Sequence, residues 1–276
     1  MGKLKILDLF SGIGGFSLGL ERTGGFETAA FCEIEPFPRK VLAKHWPSVP
    51  CYNDVRELTA ERLAADGIGP IDVITGGFPC QDLSVAGKQA GMSEGTRSGL
   101  WSEIARLVSE LRPQYVIVEN VANLLSGPRE QRGGWFGRVL GDLAECGYDA
   151  EWENIPASAV GAPHRRERVW LVAYPNTRNV SDVGILGNFA RQGSQKNFDT
   201  SKRLVRGGDF GMGWKVEDRI LRSGDGVPAG AHRLKCLGNA VVPQIPELIG
   251  YAILDAINKA ATMALPSSQR QRLHYL

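Results

Sequence analysis

The chain has 276 residues, 43% hydrophobic and 22% charged, with a formal net charge of +2. That length allows one large or two unequal domains, with roughly 75% of the unfolded surface buried. No run of about 18 apolar residues occurs, and the opening MGKLKILDLF has a short apolar part that carries Asp8, so neither a membrane span nor a signal peptide is indicated and a cytoplasmic protein is expected. The charge is too mild to announce nucleic-acid binding by itself, so any polyanion contact must come from local clusters. Five cysteines (Cys32, Cys51, Cys80, Cys146 and Cys236) form no CxxC pair, so neither a disulfide framework nor a metal site is expected.

KLKILDLFSG reads as a buried strand ending in glycines, and GGFSLGLERTG as a helix stopped by Gly24-Gly25. FETAAFCEIE is a second strand, and PFPRKVLAKHWP, opening on Pro36, a short helix. IDVITGGF and YVIVENV are continuous apolar runs, as expected of strands covered on both faces. Between them, Leu100, Trp101, Ile104, Leu107, Val108 and Leu111 form a helical apolar stripe. Strand and helix then alternate through GWFGRVLGDLAECGYDAEWENI and ERVWLVAYP. The expected architecture is α/β: a doubly wound, mostly parallel, Rossmann-like sheet. From Asn176 the texture turns polar and rich in Gly, Asn and Ser, and shows neither period. Regular structure resumes within AHRLKCLGNAVVPQIPELIGYAILDAINKA, before a polar tail.

Three places carry chemistry. Gly12, Gly14 and Gly15 lie between the first strand and first helix, where close backbone approach and a helix N-terminus suit a nucleotide-like cofactor; a purely steric glycine turn reads equally well. Glu33 and Glu35, about 20 residues on, stand where ribose hydroxyls are held in such folds. The incomplete GxGxxG weakens a nicotinamide reading. Asp54, after a short third strand, is better read as a helix cap than as a partner of an adenine amino group.

Cys80 follows Gly76-Gly77-Phe78-Pro79 at the sheet's carboxyl edge, where ligands bind in these folds, whereas a cysteine kept for packing sits inside an apolar run, as Cys32 and Cys146 do. Glu119 ends the neighbouring run, where partial burial would raise its pKa and let it serve as an acid. Arg165, Arg166 and Arg168 precede the last strand, and alternation sends Arg166 and Arg168 to one side, toward a phosphate or a developing anion.

Taken together, these blocks resemble the cytosine-C5 DNA methyltransferases of bacterial or phage type. They are Asp8 with Gly12 to Phe16, the acid in CEIE, Asp54, GGFPCQDLSVAGKQ, ENV at 119 to 121, RRERVWLV and GNAVVPQ at 238 to 244, in the family's own order. The resemblance covers residues 4 to 174 and about 231 to 257. It implies an S-adenosylmethionine-dependent methyltransferase fold with a small irregular second domain. Cys80 is then the nucleophile, Glu119 the acid at the ring nitrogen of cytosine, and Arg166 and Arg168 the holders of the base and its phosphate. Phe10, Gly12, Gly14, Glu33, Asp54 and Leu100 line the S-adenosylmethionine site, closed by Asn239 and Val241. The loop from Gln81 to Arg97, through Ser84, shuts on DNA. His164 stands where the family often has Gln, and Ile34 where an aromatic often follows the cofactor acid.

The domain expectation is 1–175 for catalysis and cofactor, 176–230 for target recognition, and 231–276 for a return to the catalytic domain. In the middle segment Arg178, Arg191, Lys196, Lys202, Arg203 and Arg206 outnumber Asp182 and Asp199 in the first part, which suits phosphate contacts. The resemblance implies transfer of a methyl group to C5 of a flipped cytosine in duplex DNA through a covalent bond to Cys80. A monomer is expected, either paired with a cognate restriction endonuclease acting on the same sequence or solitary or phage-borne. Three other readings compete. An RNA cytosine methyltransferase of the same family would carry a Cys-Phe-Thr signature, which is not found. A non-catalytic DNA-binding relative would have lost part of the constellation. A dinucleotide oxidoreductase would leave Cys80 and the arginines unexplained.

Overall fold

LKILDL forms the first strand, β1 (Leu4–Leu9), because its apolar residues face both ways: Ile6 is buried against one layer of helices and Leu7 against the other. The computed structural model describes residues 2–79, 100–125, 134–176, 185–186 and 238–263. After β1 come α1 (Gly15–Arg22), β2 (Phe26–Cys32), α2 (Pro36–His45) and the two-residue β3 (Cys51–Tyr52). They are followed by α3 (Ala60–Ala65), β4 (Val73–Gly76), α4 (Trp101–Leu111), β5 (Tyr115–Val121) and α5 (Gly134–Glu145). The series ends with β6 (Tyr148–Pro156), β7 (Glu167–Pro175) and α6 (Gln244–Met263).

The seven strands form one sheet in the order β3-β2-β1-β4-β5-β7-β6. β1 pairs in parallel with β2 and β4, and β4 with β5, as expected of the apolar runs. Alternation of strand and helix stops after α5. β6 and β7 are an antiparallel pair joined through a 3-10 turn at Ala157–Val160, and β7 inserts antiparallel beside β5. A connection without a long helix cannot cross the sheet to restore parallel order, so the chain reverses.

Helices cover both faces. Val116 and Val118 look toward Ile104, Leu107, Val139 and Leu143 of α4 and α5, while Tyr115 and Ile117 look toward Phe16 and Leu20 of α1 and Ile245, Ile249 and Ile253 of α6. The apolar stripe of α4 is buried at Trp101, Ile104, Leu107 and Val108. α6 returns to the N-terminal half and lies on α1 through glycines. A Cβ at Gly15 would stand 2.7 Å from the Val241 carbonyl, and one at Gly250 2.9 Å from Thr23 Cγ2. Arg22 and the buried Glu247 add an ion pair at 3.5 Å between the two helices. Among the described residues no helix is long and apolar enough to cross a membrane. The expected small second domain at 176–230 lies almost wholly outside the described residues; of it only Asn176 and the buried Ile185 and Leu186 are described.

Candidate active site

Four parallel strand ends and the start of one antiparallel strand meet at a single edge. β1, β2, β4 and β5 end there, and because β7 runs the other way its first residues arrive at the same place, with Arg168 paired to Val121 and Val169 to Asn120. This reversal brings an arginine block, distant in sequence, beside Glu119. Open α/β sheets bind ligands at this carboxyl edge.

On one side of the edge is the glycine turn. Phe10 and Gly12 both have φ of 53°, and Gly14 has φ of 84°, a left-handed backbone that glycine adopts without penalty and that places Phe10 under local strain. A Cβ at Gly14 would stand 2.7 Å from the Trp46 ring, whereas one at Gly12 would meet nothing within 4 Å. Gly14 is thus required by packing, and Gly12 borders open space. Gly12 N–H donates to Glu33 Oε2 at 2.8 Å, and Glu35 N–H to Glu33 Oε1 at 2.8 Å. Glu33 therefore ties the turn to the end of β2. Asp54 caps the 3-10 turn Val55–Glu57 by accepting from the Arg56 N–H at 3.0 Å, and Arg56 Nε adds a bond at 2.9 Å. This Arg56 contact holds the Asp54 carboxyl below its ordinary pKa. Leu100 is the residue capping the start of α4, and packs half-buried on the core. Val241 lies against Gly15, and Asn239 is exposed two residues earlier.

Below the turn sits a buried carboxyl group. Asp8 is fully buried; Thr75 Oγ1 donates to its Oδ1 and Ser17 Oγ to its Oδ2, each at 2.8 Å. Burial, with a smaller push from Glu33, raises its pKa to about 7 against the pull of the two hydroxyls.

On the other side is Glu119. It is buried, and Arg168 Nε stands 3.1 Å from its Oε1. The contact follows from register: Glu119 opposes Trp170, so Arg168, two residues before Trp170, is its diagonal neighbour on the same face. Burial pushes the Glu119 pKa up, and Arg168 and Arg166 pull it back. Arg166 has φ of 32° and donates from its two terminal nitrogens to the carbonyls of Gly238 and Ala240, each at 2.7 Å.

The segment leading to Cys80 is fitted to this carboxyl group. A Cβ at Gly77 would lie 3.4 Å from Glu119 Oε2, and Asn120 Nδ2 donates to the Phe78 carbonyl at 3.3 Å. Its place at the end of an apolar run pointed to Glu119, whereas the role of Asn120 emerges only from its contact with the Phe78 carbonyl. Arg56, Thr75 and Ser17 likewise become visible only through their contacts. Cys80, Gln81, Ser84 and Arg97 lie outside the described residues, as does Cys236. Cys32, Cys51 and Cys146 are free thiols. Burial pushes Cys32 up to about 12 and raises the other two, so each is a poor source of thiolate. Cys146 differs from its expected place inside an apolar run: it follows α5, half-buried, with its thiol donating to Ala105 O at 3.8 Å.

A seven-stranded sheet of this order, with a glycine turn after β1 and an acid just after β2, defines a Rossmann-like α/β fold. The model of the C-5 cytosine-specific DNA methylase family matches residues 4–214, and the chain belongs to that family. It is 37% identical over 174 residues to the Type II methyltransferase M2.BsuMI of Bacillus subtilis, covering 62% of this chain and 42% of the relative. Against the Type II methyltransferase M.AluI of Cellulosimicrobium cellulans the identity is 34% over 252 residues, or 82% and 47% of the two chains. Among solved structures, Spodoptera frugiperda DNMT2 superposes with a TM-score of 0.52 at 22% identity, covering 64% of this chain and 51% of that one, a likeness of fold. The chain thus spans less than half the length of these two curated relatives.

Proposed function

We propose that this protein transfers a methyl group from S-adenosylmethionine to C5 of a cytosine within a specific short sequence of duplex DNA, through a covalent bond between Cys80 and C6. The observation that carries this reading is the buried Glu119–Arg168 pair set against Gly77, three residues before Cys80. Family membership and the names of the relatives support the substrate class.

Gly12, with open space where a side chain would stand, and Glu33 at the end of β2 fit a nucleoside cofactor, and Phe10, Gly14, Asp54, Leu100, Asn239 and Val241 complete its expected surround. When bound, S-adenosylmethionine supplies an activated methyl group on a sulfonium. Cys80 contributes the rest of the activation. Its thiolate adds to C6, the C5–C6 π electrons move into the ring, and C5 becomes nucleophilic. Glu119 meets N3: burial favours its protonated form, so it donates a hydrogen bond as negative charge gathers there. Arg168 holds the Glu119 carboxyl and faces the base. After methylation, loss of the C5 proton to a base lets the Cys80–C6 bond break and aromaticity return. C6 is shielded in a stacked duplex, so the cytosine must leave the helix, with Gln81, Ser84 and Arg97 on the loop that closes around it. Recognition of sequence falls to residues 176–230.

Bisulfite sequencing of DNA from cells expressing the protein identifies the methylated site. A duplex carrying 5-fluorocytosine at that site then tests the chemistry, because fluorine cannot leave C5 as a cation and the enzyme stays joined to DNA. Denaturing electrophoresis and peptide mapping are expected to place the adduct on Pro79-Cys80-Gln81. An adduct at another cysteine, or one that persists in Cys80→Ala, overturns the assignment.

A further inference from the structure

We infer that Arg166 is a positioning residue for the cofactor site, clamping the 238–241 turn over the glycine turn, and that its fork is spent on the protein backbone and not on a DNA phosphate. The inference rests on the functional reading above only in naming S-adenosylmethionine as the ligand.

Three observations converge. Arg166 sends Nη1 to the Gly238 carbonyl and Nη2 to the Ala240 carbonyl, each at 2.7 Å, so one planar guanidinium spans two acceptors that flank Asn239. The next residue, Val241, lies against the glycine turn: a Cβ at Gly15 would stand 2.7 Å from its carbonyl and 2.8 Å from its Cβ. The turn has few other anchors among the described residues. Gly238 and Asn239 are exposed, and only from Val241 and Val242, half-buried against the core, do apolar contacts begin. Arg166 thus holds the backbone on both sides of Asn239. Arg166 has the means to do this because its backbone takes the left-handed conformation just before β7, with its carbonyl and that of Arg165 both receiving the Ala157 N–H.

The chemistry discriminates the two roles. A phosphate contact needs a cation, and lysine supplies one. Two carbonyls held by two separate nitrogens of one planar group match the arginine fork, and a single lysine ammonium cannot reproduce that spacing. Nor is Arg166 placed as a free surface charge: burial lowers its pKa, Arg168 lowers it further, and Glu119 raises it. It is thus a structural cation between the acid of the base site and the turn that covers the cofactor.

The test compares wild type, Arg166→Lys and Arg166→Gln in three measurements: calorimetric affinity for S-adenosylmethionine, the salt dependence of duplex binding, and hydrogen exchange of the peptide covering residues 238–243. The clamp predicts faster exchange of that peptide in both variants and a cofactor Kd raised about tenfold in Arg166→Lys, the size expected for losing one charge-assisted bond. Saturating cofactor should restore turnover in Arg166→Lys. The slope of log K against log salt should be unchanged in Arg166→Gln. Unchanged exchange and unchanged cofactor affinity, with the salt slope of Arg166→Gln lowered by about 1, would assign Arg166 to a phosphate and overturn the inference. If Arg166→Gln does not fold, the charge-retaining lysine variant decides through exchange and cofactor affinity. A wild type that binds no S-adenosylmethionine overturns the functional reading instead, while the exchange result still decides the clamp.

Discussion

Glu119 and Asp8 are two buried carboxyl groups on the same face of the sheet, and their surroundings give them different work. Glu119 has a cation at 3.1 Å and stands at the strand end next to the Cys80 segment. In Glu119→Gln, turnover should fall by about 10²–10⁴-fold, the usual worth of acid–base assistance, while cofactor affinity stays near wild type because the carboxyl faces the base. Single-turnover methylation checks this, and a normal rate removes Glu119 from the chemistry. Burial of Asp8 outweighs its two hydroxyl donors, so its folded pKa of about 7 lies above the unfolded value near 3.9. Between those values the folded state holds more protons than the unfolded one. Stability from this group is therefore greatest at low pH and is lost as pH rises from about 4 to 7, by up to about 1.4 kcal/mol per pH unit. Asp8→Asn should remove this part of the slope. Urea unfolding at several pH values reads it, and an unaltered slope would show that Asp8 is ionised throughout.

At the scale of elements, the N-terminal and C-terminal helices meet through residues without side chains. A Cβ at Gly19 of α1 would overlap the Pro243 carbonyl and stand 2.7 Å from Pro246 Cγ, next to the start of α6. Two effects oppose each other in Gly19→Ala. Alanine favours an exposed helix interior by about 1 kcal/mol, whereas overpacking against a backbone atom that cannot rotate away costs about 1–3 kcal/mol. Overpacking wins because the neighbours are a carbonyl and a proline ring. Denaturant unfolding should show a net loss of stability, and cofactor affinity should fall as well, since the displaced turn carries Val241. A variant as stable as wild type would mean that α6 does not rest on α1 as closely as described.

For the whole molecule, catalysis and sequence choice should be separable. The sheet, both helical layers and the Glu119 site are built from residues 4–175 and 238–263, and the polar stretch 176–230 contributes Ile185 and Leu186 to the core among its described residues. Those two residues are tied down, with Leu186 N–H donating to Glu151 Oε2 at 3.0 Å and Tyr174 Oη donating to Glu151 Oε1 at 2.9 Å. Exchanging residues 187–230 for the matching segment of a relative with another target leaves this anchor intact. The methylated site should then move to the donor's sequence. Retained activity at the original site would place recognition elsewhere.

Apolar runs and glycine punctuation alone determined the strands β1, β2, β4 and β5, the stripe of α4, and the clustering of Gly12, Glu33 and Glu119 at one edge. These are local features, because a strand covered on both faces must be apolar throughout and a parallel sheet puts every strand end on one side. Tertiary structure decided the rest. Antiparallel insertion of β7 depends on how a short connection can cross a sheet, and no periodicity encodes it. Asp8, a polar interruption in an apolar strand, acquired its meaning from hydroxyls 9 and 67 residues away. The partners of Arg166 lie 72 and 74 residues on. Alternation sets the side to which a side chain points, but only the folded chain sets what waits there, because hydrogen-bond partners are chosen by proximity in space and not along the chain.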